Sequence, residues 1–175
     1  PTTIRDEAVL QQVRDLHPEL LVVVAYGKIL PKALLEIPTV AAINVHSSIL
    51  PRYRGAAPIN WAILQGDAET GVTVQHLGEE LDAGDIILVK RTAIDPQEDA
   101  GQLYDRLAVL GAEALSEAAA ALAAGTAERI PQGAAIEPYA AMLSREMSPI
   151  DWNKPAQTIV NQIRGLIPWP CASME

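Results

Sequence analysis

The chain has 175 residues, 49% of them hydrophobic, and a net charge of −9. That length suits one domain with a sizeable core, and the acidic balance argues against a broad nucleic-acid surface on this chain by itself. A single cysteine, Cys171, excludes an internal disulfide framework and fits a reducing, cytoplasmic setting, and no apolar run approaches the ~20 residues of a membrane span.

Apolar residues at Ile4, Ala8, Val9, Val13 and Leu16 recur at helical spacing, with Thr3 as the expected cap. The run Leu20 to Ala25 is continuous and rich in β-branched residues, as in a strand buried on both faces. A short helix from Pro31 to Glu36 leads to a strand from Ala41 to Val45, and Pro58 suits the first turn of a helix through Leu64. The stretches 71–77 and 85–94 read as strands parted by a loop with glycine at both ends, Gly78 and Gly84. Asp99 caps a long Ala-rich helix to about Ala124, its leucines and Val109 giving it an apolar face. After a stretch punctuated by Pro and Gly, residues 155–166 form an amphipathic helix. Helices alternating with buried strands predict an α/β domain whose sheet is mostly parallel, with helices on both faces.

Sheets of this kind bind ligands beyond the carboxyl ends of their strands. Asn44 and His46 fall at such an end, and the Tyr26-Gly27-Lys28 turn falls at the end of the preceding strand. Residues i and i+2 share a strand face, so the two side chains can address one ligand atom. An amide donates one hydrogen bond and an imidazolium donates another with charge, a pair suited to an oxygen that becomes negative as a carbonyl turns tetrahedral. Asn-x-His alone also fits a strand cap beside an ordinary core histidine. A histidine used this way needs a carboxylate to orient it, and Asp82 and Asp85 are both candidates, although Asp beside Gly also fits a plain turn. Lys28, Lys32, Arg52 and Arg54 add a local positive bias near the same loops.

Other chemistries lack their motifs. No Gly-x-Gly-x-x-Gly or Gly-x-x-x-x-Gly-Lys loop is present, and no Gly-x-Ser-x-Gly elbow. His17, His46 and His76 lack metal-ligand spacing, so no metal is expected. Gln75 and His76 alternate on a strand and call for no special role.

"INVHSSILPRYRGAAPI" together with "GVTVQHLGEELDAGDI" resembles the formyltransferases that use 10-formyltetrahydrofolate. Asn-x-His is followed by Ser48-Ile49-Leu50-Pro51, where the family has Ser-Leu-Leu-Pro, and an Asp in Leu-Asp-x-Gly follows the His by 36 residues, from His46 to Asp82. "VVVAYGKILP" is similar to the family segment whose backbone lines the folate pocket, and "LPRYRGAAPI" and the closing "IDWNKPAQTIVNQIRGLIPWP" resemble the branch that formylates methionyl-tRNA, so the resemblance covers essentially the whole chain.

The resemblance implies a Rossmann-like catalytic domain, here spanning 1–175 without its first strand–helix units and without the C-terminal β-barrel. It implies formyl transfer from 10-formyltetrahydrofolate to the α-amine of initiator methionyl-tRNA, without metal or membrane, by a protein monomeric at full length. Asn44, His46 and Asp82 would be catalytic. Gly27, Lys28, Ile29, Leu30, Ser48, Leu50, Pro51, Leu77 and Leu81 would line the folate site, and Arg52 and Arg54 would approach the tRNA acceptor end. The same trio would also serve a formyltetrahydrofolate hydrolase or an amino-sugar formyltransferase, and a non-catalytic domain that binds folate or a partner is the remaining alternative.

Overall fold

The structure, a computed structural model, describes residues 3–174. Helix α1 (Glu7–Asp15) begins a turn later than the apolar spacing predicts, because the Asp6 carboxylate accepts from the Ala8 N–H and caps it, while the Thr3 hydroxyl accepts only from Arg5 N–H. Strand β1 (Leu20–Val24), helix α2 (Lys32–Leu35), strand β2 (Ala41–His46) and helix α3 (Pro58–Leu64) follow, with Pro58 in the first turn of α3. Strands β3 (Glu69–His76) and β4 (Ile86–Ala93) form a hairpin. Helix α4 (Ala100–Ala123) starts from a full capping box between Asp99 and Gln102, and helix α5 (Ala156–Gly165) packs on α3. No helix among the described residues is long and apolar enough to cross a membrane.

The strands form one sheet in the order β1-β2-β3-β4. β1 and β2 are parallel, and the β2–β3 and β3–β4 pairs are antiparallel, so three strands run one way and β3 alone runs against them. The mostly parallel expectation thus holds for strand direction, while the reversed β3 makes the sheet mixed.

Two expectations about burial change. Among the described residues β1 is not buried on both faces: Val22 and Val24 are 40% and 56% exposed, and β1 pairs there with β2 alone. On α4 the buried stripe is Ala100, Leu103, Leu107, Gly111, Ala114 and Ala118, mostly small residues at helical spacing, and Val109 lies off it at 64% exposed. A Cβ on Gly111 would sit 3.3 Å from Val45 Cγ1, so this helix rides close over the sheet.

The register divides the sheet chemically. Ile43, Val45, Val72 and Val74 join α3 and α4 in the apolar core. Asn44 opposes Gln75 and His46 opposes Thr73, so the other face carries four polar side chains over β2 and β3. Loops close that face. The β3–β4 loop folds back over it, and the chain beyond α4 crosses it, bridging Ile130 to Ile86, Ile136 to Arg52 and Ala140 to Gly55.

Candidate active site

His46 ends β2 almost fully buried. Its Nε2 lies 2.9 Å from the Tyr53 carbonyl oxygen, which can only accept, so Nε2 carries a proton. Its Nδ1 faces Asp82 Oδ1 at 3.7 Å. Asp82 is itself pinned: Oδ2 accepts from the Gly55 N–H at 2.9 Å and Oδ1 from Gln75 Nε2 at 3.2 Å. Its backbone is left-handed, φ 51°, a region Asp enters more readily than most side chains, and this turns the carboxylate back over the sheet. Gly84 allows the same loop to pass against the strand, since a Cβ there would overlap the His76 carbonyl oxygen. For the Asn44 amide, no partner is found among the described residues, which leaves its donors uncommitted beside His46.

Asp85, the other carboxylate candidate, pairs with Arg129 at 3.2 Å and does not reach His46. Of the two Asp residues in this loop, Asp82, the one at the motif interval, is the one whose carboxylate faces His46.

The loop after β2 is built to hold the Tyr53 carbonyl. Tyr53 has φ 60°, a strained setting for an aromatic residue, and two interactions restrain it. Its hydroxyl donates to Asp67 Oδ2 at 2.7 Å, and Arg52 stacks over its ring at 4.7 Å while donating to Asp67 Oδ1 at 2.9 Å. Burial, then the Asp67 hydrogen bond, push the Tyr53 hydroxyl well above its ordinary range, so it remains a donor. Further back, Ser48 Oγ donates to Arg52 O at 2.7 Å, Thr73 Oγ1 donates to Ser48 O at 2.7 Å, and Leu50 N–H donates to Thr73 Oγ1 at 3.1 Å.

Ser48 and Leu50 are buried, the Ser48 hydroxyl donating to Arg52 O and the Leu50 N–H to Thr73 Oγ1, and Pro51 is half-buried beside them. Arg52 is half-buried against Asp67. Arg54 points inward: its Nε and Nη2 donate to Gln132 Oε1 at 3.1 and 2.9 Å, and Nη2 to Gly133 O at 3.1 Å. A guanidinium so engaged is held within the chain.

Gly27, Lys28 and Ile29 are exposed and Leu30 half-buried beyond β1, with Gly27 at φ 71°; Lys28 and Ile29 line an open depression with Thr3, Ile4 and Arg5. In the β3–β4 loop Leu77 is half-buried, its N–H donating to Ala42 O at 2.8 Å, and Leu81 is 50% exposed. Lys32 and Glu79, 3.0 Å apart, tie these two loops together. The local positive bias is thus largely paired within the chain.

Two residues escaped the sequence reading. Gln75 is fully buried against Asp82, and Gln132 donates to Gln75 Oε1. Alternation along β3 places Gln75 off the Val72 and Val74 face, but that this is also the Asn44 and His46 face depends on strand register. Nothing local marks Gln132.

Comparison with known proteins places this geometry. A family model described as "Formyl transferase" matches residues 1–119, and one described as "Formyl transferase, C-terminal domain" matches 142–175. The chain is 51% identical over 172 residues to a methionyl-tRNA formyltransferase of Geotalea uraniireducens, covering 98% of this chain and 55% of that protein. It is 50% identical over 172 residues to that of Pelobacter propionicus, with 98% and 54% covered. The chain thus spans about half the length of these relatives. Among solved structures, HypX from Aquifex aeolicus in complex with tetrahydrofolic acid superposes with a TM-score of 0.81 at 20% identity, covering 97% of this chain and 30% of that one. A sugar N-formyltransferase from Shewanella gives 0.82 at 19% identity, covering 98% and 70%. At such identities these two speak to the fold; the family matches and the half-identical relatives speak to descent. On that footing, the protein that sets Asn44, His46 and Asp82 over one sheet face belongs to the formyl transferase family.

Proposed function

We propose that this chain carries the site at which a formyl group passes from 10-formyltetrahydrofolate to the α-amine of methionine esterified to initiator tRNA. The observation that carries the reading is the trio itself: an uncommitted Asn44 amide beside His46, with the Asp82 carboxylate fixed at the Nδ1 side of the ring. The amine nitrogen forms a bond to the formyl carbon, and the carbonyl oxygen gains negative charge. Asn44 and the His46 Nδ1–H, which lies 3.7 Å from Asp82 and is not hydrogen-bonded to it, donate to that oxygen, while Asp82 faces the ring and assists proton transfer through water. Collapse of the intermediate breaks the bond to the folate N10, which leaves with the proton released by the amine. No covalent enzyme intermediate is required.

The exposed 27–29 turn and the Leu77 to Asp82 loop would grip the pterin largely through backbone groups. Relatives half-identical over nearly the whole chain support methionyl-tRNA as the acceptor over an amino-sugar or water. The chain would act within a longer enzyme whose other parts hold most of the tRNA. The test is an assay of the complete natural chain with 10-formyltetrahydrofolate and methionyl-tRNA, an amino-sugar nucleotide, or no acceptor. Formylated methionyl-tRNA is expected. Free formate without dependence on the amine indicates a hydrolase, and folate binding without turnover refutes the catalytic reading.

A further inference from the structure

Gln75 and Gln132 have no part in the transfer described above, yet they contact its carboxylate side. Gln132 lies between the two family matches, which end at 119 and resume at 142. A carboxamide has one donating and one accepting end of nearly equal shape, so its partners decide which way it faces. Here the decision has a fixed origin. Arg54 can only donate, and it donates twice to Gln132, so the Gln132 oxygen must face it. The Gln132 Nε2 then meets Gln75 Oε1 at 2.9 Å, Asp82 O at 2.9 Å and Gly84 O at 2.6 Å, the last two being backbone carbonyls that can only accept. With its oxygen taken, Gln75 presents Nε2 to Asp82 Oδ1, the same oxygen that faces His46. Every link donates in one direction, from Arg54 towards the catalytic carboxylate.

We infer that Gln132 is a positioning residue: it fixes the Gln75 amide so that an N–H, and not an oxygen, meets Asp82, and thereby holds Asp82 towards His46. The inference rests on reading Asn44, His46 and Asp82 as the transfer site. Gln75 is fully buried, so a reversed amide would set two acceptors against each other with no water to intervene.

Gln132→Glu tests this, because it keeps the partner of Arg54 but turns the donating end into an acceptor. Gln75 must then turn its N–H to residue 132 and its oxygen to Asp82. In the complete natural chain, Gln132→Glu should lower kcat about tenfold with KM for the formyl donor within about twofold, and should move the 15N signal of His46 Nδ1. In a Gln75→Leu background the same change should alter both far less, since the relay is already cut. A Gln132→Glu protein with lowered Tm but unchanged kcat and His46 signal overturns the inference. So does an equal loss in both backgrounds, because a merely structural Gln132 acts regardless of Gln75. If Gln132→Glu does not fold, Gln132→Met, which removes the donors without adding charge, is read the same way. A parent without formyl transfer whose His46 signal still moves in Gln132→Glu, and not in the double variant, overturns the functional reading and supports the positioning inference.

Discussion

Asn44 and His46 contribute through different constraints. His46 is held at Nε2 by the Tyr53 carbonyl and faces Asp82 across 3.7 Å at Nδ1, whereas the Asn44 amide has no partner among the described residues. Asn44→Ala and His46→Ala should each cut turnover by about 10²–10³-fold while the circular dichroism and thermal unfolding of the protein stay close to the parent's. Near-normal rates in both would refute the assignment. Asp82→Asn should be similarly crippled, since Asn tolerates the left-handed backbone and keeps some hydrogen bonding but loses the charge facing His46. Asp85→Asn gives up only a pair with Arg129 on the outside of the loop, so its kcat should remain within about twofold of the parent's, in line with the small worth of such surface pairs. Reversed outcomes would mean that the wrong carboxylate has been assigned. At this scale the Asn-x-His pair and the 36-residue interval pointed to three side chains that lie near one another, His46 facing Asp82 at 3.7 Å. The sequence was silent on Gln132 and on the inward-facing acceptors that hold Arg54.

Among the elements, the loops are held as firmly by named contacts as by the strands they join. The 47–55 loop is stitched to β3 through Thr73 and to the end of α3 through Asp67, and the β3–β4 loop is pressed onto the His76 backbone at Gly84. Gly84→Ala has no room, because the obstructing atom is a backbone oxygen that cannot rotate away. It should destabilise the protein by about 1–3 kcal/mol in urea unfolding and lower turnover with it, since the shifted loop carries Asp82. Unchanged stability and rate would show that the loop accommodates a side chain after all. Strand and helix positions were legible because periodicity and caps are local: Pro58 opens α3 and Asp99 caps α4 as the sequence implies. The Thr3 cap failed for an equally local reason, a better-placed Asp6 three residues on.

For the whole molecule, the two sheet faces answer to different conditions. His76 lies buried with no partner for its Nε2 among the described residues, and burial first, then Arg129, lower its pKa, with Asp85 partly opposing them. The unfolded chain therefore takes up this proton first as pH falls. Its contribution to stability is whole above the ordinary value of 6.5 and is lost as pH drops towards the lowered folded value. Urea midpoints measured from pH 7.5 to 5 should fall more steeply for the parent than for His76→Leu; parallel curves would show that His76 does not carry the effect. The edge strand β1, with Val22 and Val24 exposed, offers an unpaired apolar ribbon. Residues 1–175 alone should self-associate, and Val24→Lys should reduce the association seen by sedimentation velocity. An unaltered monomer in both cases would refute this.

The sequence by itself determined the elements and the α/β class and singled out Asn44, His46 and Asp82 as candidates, because hydrophobic periodicity, capping and a motif with a fixed interval are written along the chain. Tertiary structure decided what depends on residues distant in sequence. It reversed β3 within the sheet, placed Gln75 beside Asn44 by register, and brought Gln132 from beyond α4 to the Asp82 loop. The physical reason is that a polar side chain on a strand declares its spacing but not its partner. Only closure of the second face, by loops from three parts of the chain, fixed which donors meet which acceptors.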